Sequence, residues 1–295
     1  MLREAFAATA AFGATCVAYG VLVERRWYRL RHIDLPGALR PGAQDPIRVL
    51  HLSDLHLDPP QDHKIAFLAE IADVDVDLVV LTGDLLGAAD AEDTVVAALA
   101  PVLAGRPGVL VLGTNDLFGP TGKHPFVYFS DPDARMYGEP LQTQRMIDGL
   151  ADLGVTTLRN DRTVVTTKQG DIAVGGIDDP HFHEALLPTP DAVSPQIEDA
   201  VLHLGLVHAP YTAALDLLVD TDHDVLLAGH THGGQVRFPP IGALVANCDL
   251  PLDQVRGESR YRDAWLHVNP GLGTSRYAPF RFACRPEATV LTLHP

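Results

Sequence analysis

The feature that most constrains this chain is an alternation that begins at residue 47. Short runs of Val, Ile and Leu are each followed by a segment of helical spacing. IRVLHLS precedes DHKIAFLAEIAD, DLVVLTG precedes AEDTVVAALAPVLA, and GVLVLG precedes PLQTQRMIDGLADLG. RTVVTTKQGDIAVGGI reads as a hairpin turned at Gln169-Gly170. LHLGLVH, YTAALDLLVD and DVLLAGH then resume strand, helix, strand, and AWLHVN and ATVLTLH close the chain. Such alternation predicts an α/β fold with parallel pairing. The 295 residues suffice for one large domain, and neither an internal repeat nor a low-complexity linker divides them. Leu117 to Pro140, long and carrying Gly and Pro, reads as a functional loop rather than a linker.

What ends each strand points to a site. The first is followed by Asp54 and His56, the second by Asp84, and the third by Asn115 and Asp116. Later strands are followed by His208 and by His230 and His232. In open α/β sheets, sites form beyond the carboxyl ends of the strands, so parallel strands would bring these groups to one edge. In extended backbone His230 and His232 also point the same way. One Asp or His after a strand is commonplace. Five strands all followed by nitrogen or oxygen ligands predict a metal centre. With no Cys among them, the set suits Mn, Fe, Zn or Co.

The ordered set SDLH, GD, G-x-ND, VHAP and GHTHGGQ resembles the calcineurin-like metallophosphoesterases, in particular their single-domain bacterial members with an N-terminal membrane or signal segment. The resemblance runs from Ile47 to the C-terminus and includes the tail NPGLGTSRYAPFRFACRPE. It implies a four-layer αββα sandwich of two mixed sheets flanked by helices. It also implies two divalent cations and hydrolysis of a phosphodiester or pyrophosphate by a hydroxide bridging them. Asp54, His56 and His232 would hold the first cation. His208, His230 and an asparagine would hold the second, with Asp84 shared.

One motif departs from the family pattern. Gly-Asn-His-Asp is here Gly113-Thr114-Asn115-Asp116. Thr114 stands where the resemblance puts a metal-binding amide, and Asn115 where it puts the proton-donating histidine. A small backbone shift is expected to let Asn115 bind the second cation. Asn115 and Asp116 remain the catalytic candidates of this motif, and His124, in GPTGKHPF, is a candidate replacement donor. The second reading is a metal-stabilised scaffold with little turnover. His51, His203 and His267 lie in apolar runs and read as packing residues. His181 and His183 read as loop residues that could approach the site. Gly233 and Gly234 read either as a close approach to the site or as a plain turn.

The N-terminus is different in kind. Ala5 to Val23 carries no charge, against about 20 apolar residues for a spanning helix. A membrane anchor, a signal peptide and a docking helix all fit. Arg25, Arg26, Arg29 and Arg31 follow, which favours a cytoplasmic domain for an anchored chain. Residues 1–30 are therefore expected to form the hydrophobic helix and 45–295 the domain. The net charge of -16 argues against general nucleic-acid binding. The expected partner is a phosphorylated small molecule or a lipid-linked substrate, and the three scattered cysteines form no evident disulfide framework.

Overall fold

Alternation along the strands builds two sheets back to back. In β2 (Ile47–Leu52), Ile47 and Val49 enter one buried cluster while Leu50 and Leu52 enter another. In β9 (Val225–Ala228), Val225 and Leu227 share the first cluster with Ile47 and Val49, and Leu226 and Ala228 face away. The shared cluster is the core between the sheets. The outward positions are covered by helices, which completes an αββα sandwich. The computed structural model describes residues 2–59, 61–120, 137–183 and 187–295.

The first sheet has the order β1 (Arg29–Leu35), β14 (Glu287–Leu293), β2, β3 (Leu78–Leu81), β4 (Gly108–Val111) and β5 (Val155–Leu158). Strands β2 to β5 are mutually parallel, and β14 is antiparallel to β2. The second has the order β12 (Gly257–Tyr261), β13 (Ala264–Val268), β9, β8 (Leu202–Val207), β7 (Gly170–Ile177) and β6 (Asp161–Thr167). Its central strands β13, β9, β8 and β7 are parallel, and β6–β7 is the antiparallel hairpin turned at Gln169-Gly170. A two-stranded ribbon, β10 (Arg237–Phe238) with β11 (Gly242–Ala243), lies outside both sheets.

The helices follow from their spacing. α3 (Glu92–Leu103) buries Val95, Ala98, Leu99 and Val102, one face of a 3.6-residue period, against the first sheet. α2 (Asp62–Glu70) adds Phe67 and Leu68 to that layer, and α5 (Thr143–Ala151) adds Met146 and Leu150. Between them comes the short α4 (Thr114–Leu117). On the other side α8 (Thr212–Asp220) packs Ala214, Leu215 and Leu218 on the second sheet, joined by Val193 of α7 (Pro190–Val193). α6 (Pro180–His183) precedes α7.

The domain boundary expected at residue 45 needs correction. β1 lies before it and pairs in parallel with β14 over seven residues, Arg29↔Glu287 to Leu35↔Leu293. Ile33 and Leu35 enter the core between the sheets, and Arg29 bonds the buried Glu287. The arginines read as the flank of an apolar helix, and that hid the strand. α1 (Leu2–Leu22) is long and apolar enough to cross a membrane by length and composition, and it is almost entirely unburied. Its end is bolted to the domain. Arg281 N–H donates to the Gly20 carbonyl, and the Glu24 carboxylate accepts from the Ala283 and Cys284 amides. Cys16, Cys248 and Cys284 are free thiols.

Candidate metal centre

The parallel strands deliver their following residues to a common edge. Asp54 and His56 follow β2, Asp84 follows β3, and Thr114 to Asp116 follow β4. His208 follows β8, and His230 and His232 follow β9. His208 Nδ1–H donates across to the Thr82 carbonyl at 2.6 Å, which ties the two sheets together at the site. That bond also aims Nε2 at Asp84 Oδ2, 3.4 Å away.

Two clusters of ligand atoms result, Asp54–His56–His232 and Asp54–Asp84–His208, each with its atoms within 4.8 Å of one another. His232 Nε2 lies 3.2 Å from His56 Nε2 and 3.5 Å from Asp54 Oδ1, and His56 Nε2 lies 3.5 Å from Asp84 Oδ2. His232 directs Nδ1 to the Gly273 carbonyl at 3.2 Å, and His230 donates from Nε2 to the Asn247 carbonyl at 2.9 Å. His208, His230 and His232 thus each spend one nitrogen on a carbonyl and keep the other for the site. Asp54, His56, Asp84, His230 and His232 all have φ between 40° and 67°. Left-handed backbone at five non-glycine residues is strain concentrated where geometry matters.

The donors fit a divalent cation. Asp54 Oδ1 and His208 Nε2 are buried and have no hydrogen-bond partner among the described residues. Orphaned buried polar atoms of this kind cost about 1–3 kcal/mol each unless something else satisfies them. Burial, reinforced by the neighbouring Asp84 charge, raises the Asp54 carboxyl to about 7. Burial also lowers His56 to about 4 and His232 well below its usual value, which leaves both neutral as ligands must be. Burial alone would lower His208, but Asp84, Asp179 and Asp54 hold it well above its usual value, and its charge in turn holds Asp84 low.

The third strand end behaves differently. The Asp116 carboxylate accepts from four backbone amides, those of Gly113, Asp84, Leu85 and Leu86, at 2.7–3.1 Å. It fixes the turn after β3 against the start of α4. Asn115 N–H donates to Asp84 Oδ1 at 2.9 Å, and its side-chain Nδ2 donates to Asp84 Oδ2 at 2.6 Å. The amide therefore reaches the centre, with its N–H₂ end toward the carboxylate. Thr114 Oγ1 turns away to donate to Asp179. His124 lies outside the described residues.

His181, read from the sequence as a loop residue that could approach the site, does so, and sequence reasoning passed over several further neighbours. His181 is buried, its ring is 4.6 Å from that of His230, and its Nδ1 is 2.9 Å from the Tyr211 hydroxyl. Asp179 and His181 follow β7, which runs parallel to β8, so they meet the same edge as His208. That strand end was the available signal. Arg281 is wholly buried and donates to the carbonyls of Pro270, Gly271 and Gly273, bracing the loop that closes over Asp54. Buried Lys64 donates to the Leu55 and His56 carbonyls. Gly113 and Gly229 are two of the glycines the centre requires. A Cβ on Gly113 would stand 2.2 Å from Asp84 Oδ1, and one on Gly229 1.8 Å from Ser53 Oγ. Gly233 and Gly234, both at positive φ, instead pack against Cys284 and Ala243.

A sequence profile of the family described as calcineurin-like phosphoesterase matches residues 47–234, which include every one of these ligand candidates. The chain is a calcineurin-like phosphoesterase. This phosphoesterase is 30% identical to the uncharacterized metallophosphoesterase YkuE of Bacillus subtilis, over 99% of this chain and 96% of that one. It is 28% identical to the phosphodiesterase YaeI of Escherichia coli, over 99% of this chain and 98% of YaeI. A Bos taurus protein named as a transmembrane protein with a metallophosphoesterase domain is 26% identical, over 88% of this chain and 56% of its own length. The phosphoesterase is accordingly a metal-dependent hydrolase of phosphate esters, with the αββα fold that the family resemblance implies.

Proposed function

We propose that this phosphoesterase hydrolyses a phosphodiester or pyrophosphate bond with a pair of divalent cations, Mn, Fe, Zn or Co. Asp54, His56 and His232 hold one, His208, His230 and Asn115 hold the other, and Asp84 serves both. The observation that carries this reading is the orphaned pair Asp54 Oδ1 and His208 Nε2, buried in one cluster with Asp84. When bound, such a pair supplies positive charge for the phosphoryl oxygens and makes a nucleophile of water at neutral pH.

The chain's own groups do the remaining work. Ser53 and the His230 amide donate to Asp54 Oδ2, which turns Oδ1 toward the cluster. Asp116 holds the Asp84 backbone in its left-handed turn. Asn115 reaches the second cation by a half-turn of its amide, which exchanges N–H₂ for the carbonyl oxygen. The proton for the leaving group falls to another residue, with His124 the sequence candidate. α1 places the domain at a membrane, and the arginines after it favour the cytoplasmic face. A phosphorylated small molecule, including one linked to lipid, is the substrate class.

The test uses the full chain in a neutral detergent, because Glu24 and β1 belong to the fold. Loaded with Mn²⁺, it is expected to hydrolyse bis-p-nitrophenyl phosphate, and Asp84→Ala to abolish that activity. Equal rates for the two would leave the scaffold reading standing.

A further inference from the structure

A cavity of about 530 Å³ opens beside the end of α1, on the other side of the loops that carry the metal ligands. Its lining joins three segments: Arg25 and Arg26 after the helix, Asp58, Pro59 and residues 61–64 after His56, and residues 272–274 with Arg276 after β13. Four cations line it, Arg25, Arg26, Lys64 and Arg276, against two carboxylates, Asp58 and Asp62. In a chain of net charge -16 this is a local reversal of sign. Arg276 pairs with Asp58 at 3.4 Å, and Lys64 is spent on backbone carbonyls. Arg25 donates to the Val21 carbonyl and, like Arg26, has no carboxylate partner among the described residues.

The position of the cavity is fixed by α1. The bonds from Gly20 and Glu24 to residues 281–284, with the Tyr19 ring edge-on to Phe282 at 6.3 Å, leave the helix no hinge at this point. If α1 crosses a bilayer, Arg25 and Arg26 stand at the headgroup layer. Two exposed aromatics adjoin the lining: Trp27 (52% exposed) next to Arg26, and Tyr277 (55%) next to Arg276. Exposed aromatics beside basic residues are what a chain places at a lipid–water interface.

We propose that this cavity is a binding site for the phosphate of an anionic phospholipid headgroup, held mainly by Arg26 and Arg276 with Arg25 behind them. Guanidinium groups form paired, charge-assisted bonds to phosphate oxygens. The site is separate from the metal centre and does not depend on turnover there. It shares with that centre the loop at Gly273, whose carbonyl faces His232 Nδ1, so an occupied cavity braces the ligand loop from behind.

The test is calorimetry on the full chain in dodecyl maltoside with excess EDTA, so that no cation at the metal centre can bind the probe. Dihexanoyl phosphatidate is expected to bind, dihexanoyl phosphatidylcholine to bind at least about tenfold more weakly, and inorganic phosphate likewise. Arg26→Gln/Arg276→Gln, two exposed side chains, is expected to weaken phosphatidate about tenfold or more, and Arg145→Gln on α5 to leave it unchanged. Arg26→Lys/Arg276→Lys, which keeps the charge, is expected to recover part of the affinity. Absence of phosphatidate binding, or affinity unchanged by the double Gln variant, overturns the site. Inorganic phosphate binding as tightly as phosphatidate overturns its assignment to lipid. Activity on a soluble diester is read separately, so a failure of the phosphoesterase reading does not alter these outcomes.

Discussion

The two halves of the proposed metal centre are built to different standards. In the half made by Asp54, His56 and His232, the sheet edges alone bring the ligand atoms within 4.8 Å of one another. Its histidines are held neutral by burial, and Arg281 and Lys64 brace its loops from beneath. In the half made by Asn115, His208 and His230, an Asn–His pair is replaced by Thr114 and Asn115. Thr114 is committed to Asp179, the Asn115 amide donates to Asp84, and the carboxylates around His208 hold it well above its usual value. Preorganisation costs nothing at the moment of binding, whereas the second half must rotate an amide and lose a proton before it can hold a cation. One half should therefore bind tightly on its own and the other only as a follower.

Removing ligands from each half is the harshest way to break this contrast. His232→Ala is expected to abolish high-affinity binding and to lower diester hydrolysis on the order of 10³-fold, several kcal/mol of charge stabilisation. His230→Ala should leave one tightly bound cation per chain while also lowering hydrolysis. Metal content after dialysis, measured beside the rate, reads both. One retained cation in His232→Ala and none in His230→Ala would reverse the assignment of the halves.

The same contrast marks what could be read from the sequence. The strands that form the site were legible because each is a short apolar run followed by a polar residue. Parallel pairing then forces those residues together. β1 was not, because RLRHIDL alternates arginine with leucine, and its inward side chains have meaning only beside β14 and Glu287. Asn115 was expected at the centre, but its orientation there is set by Asp84 and by the α4 turn that Asp116 builds. No spacing rule contains that information. Asp116, a catalytic candidate by its motif, also clamps four amides, a role visible only once β3 and β4 lie side by side. Arg281 was one residue in a recognised tail. Its function is invisible until the 270–273 carbonyls curl around it.

A gentler perturbation repairs the weaker half. Thr114→Asn together with Asn115→His restores both the amide and the ring that the family pattern places there. General acid help is typically worth about 10²–10⁴ in rate, so the expected gain is about 10²-fold on an alkyl phosphodiester with a poor leaving group. On bis-p-nitrophenyl phosphate, whose leaving group needs no proton, the gain should be absent. A gain on both substrates would mean that the histidine acts through the cation or the fold rather than by donating a proton. No gain on either would mean that another residue already supplies the proton, and a His124→Ala variant with an altered pH–rate profile would then identify it.

The finest test is the pH dependence of loading. A cation needs deprotonated ligands. In the first half His56 and His232 are already neutral, and only Asp54, at about 7, carries a proton near neutrality. Its affinity should therefore be flat above pH 7 and fall about tenfold per unit below it. In the second half the surrounding carboxylates hold His208 above its usual value, so its affinity should keep rising to higher pH than that of the first half. Titration with Mn²⁺ at pH 7 and pH 8, in buffers of different ionisation enthalpy, separates the two. The second equivalent should release more protons than the first. If the first binding step is instead the one that steepens between pH 7 and 8, the unbraced half is filling first, and the order drawn from the buried histidines is wrong.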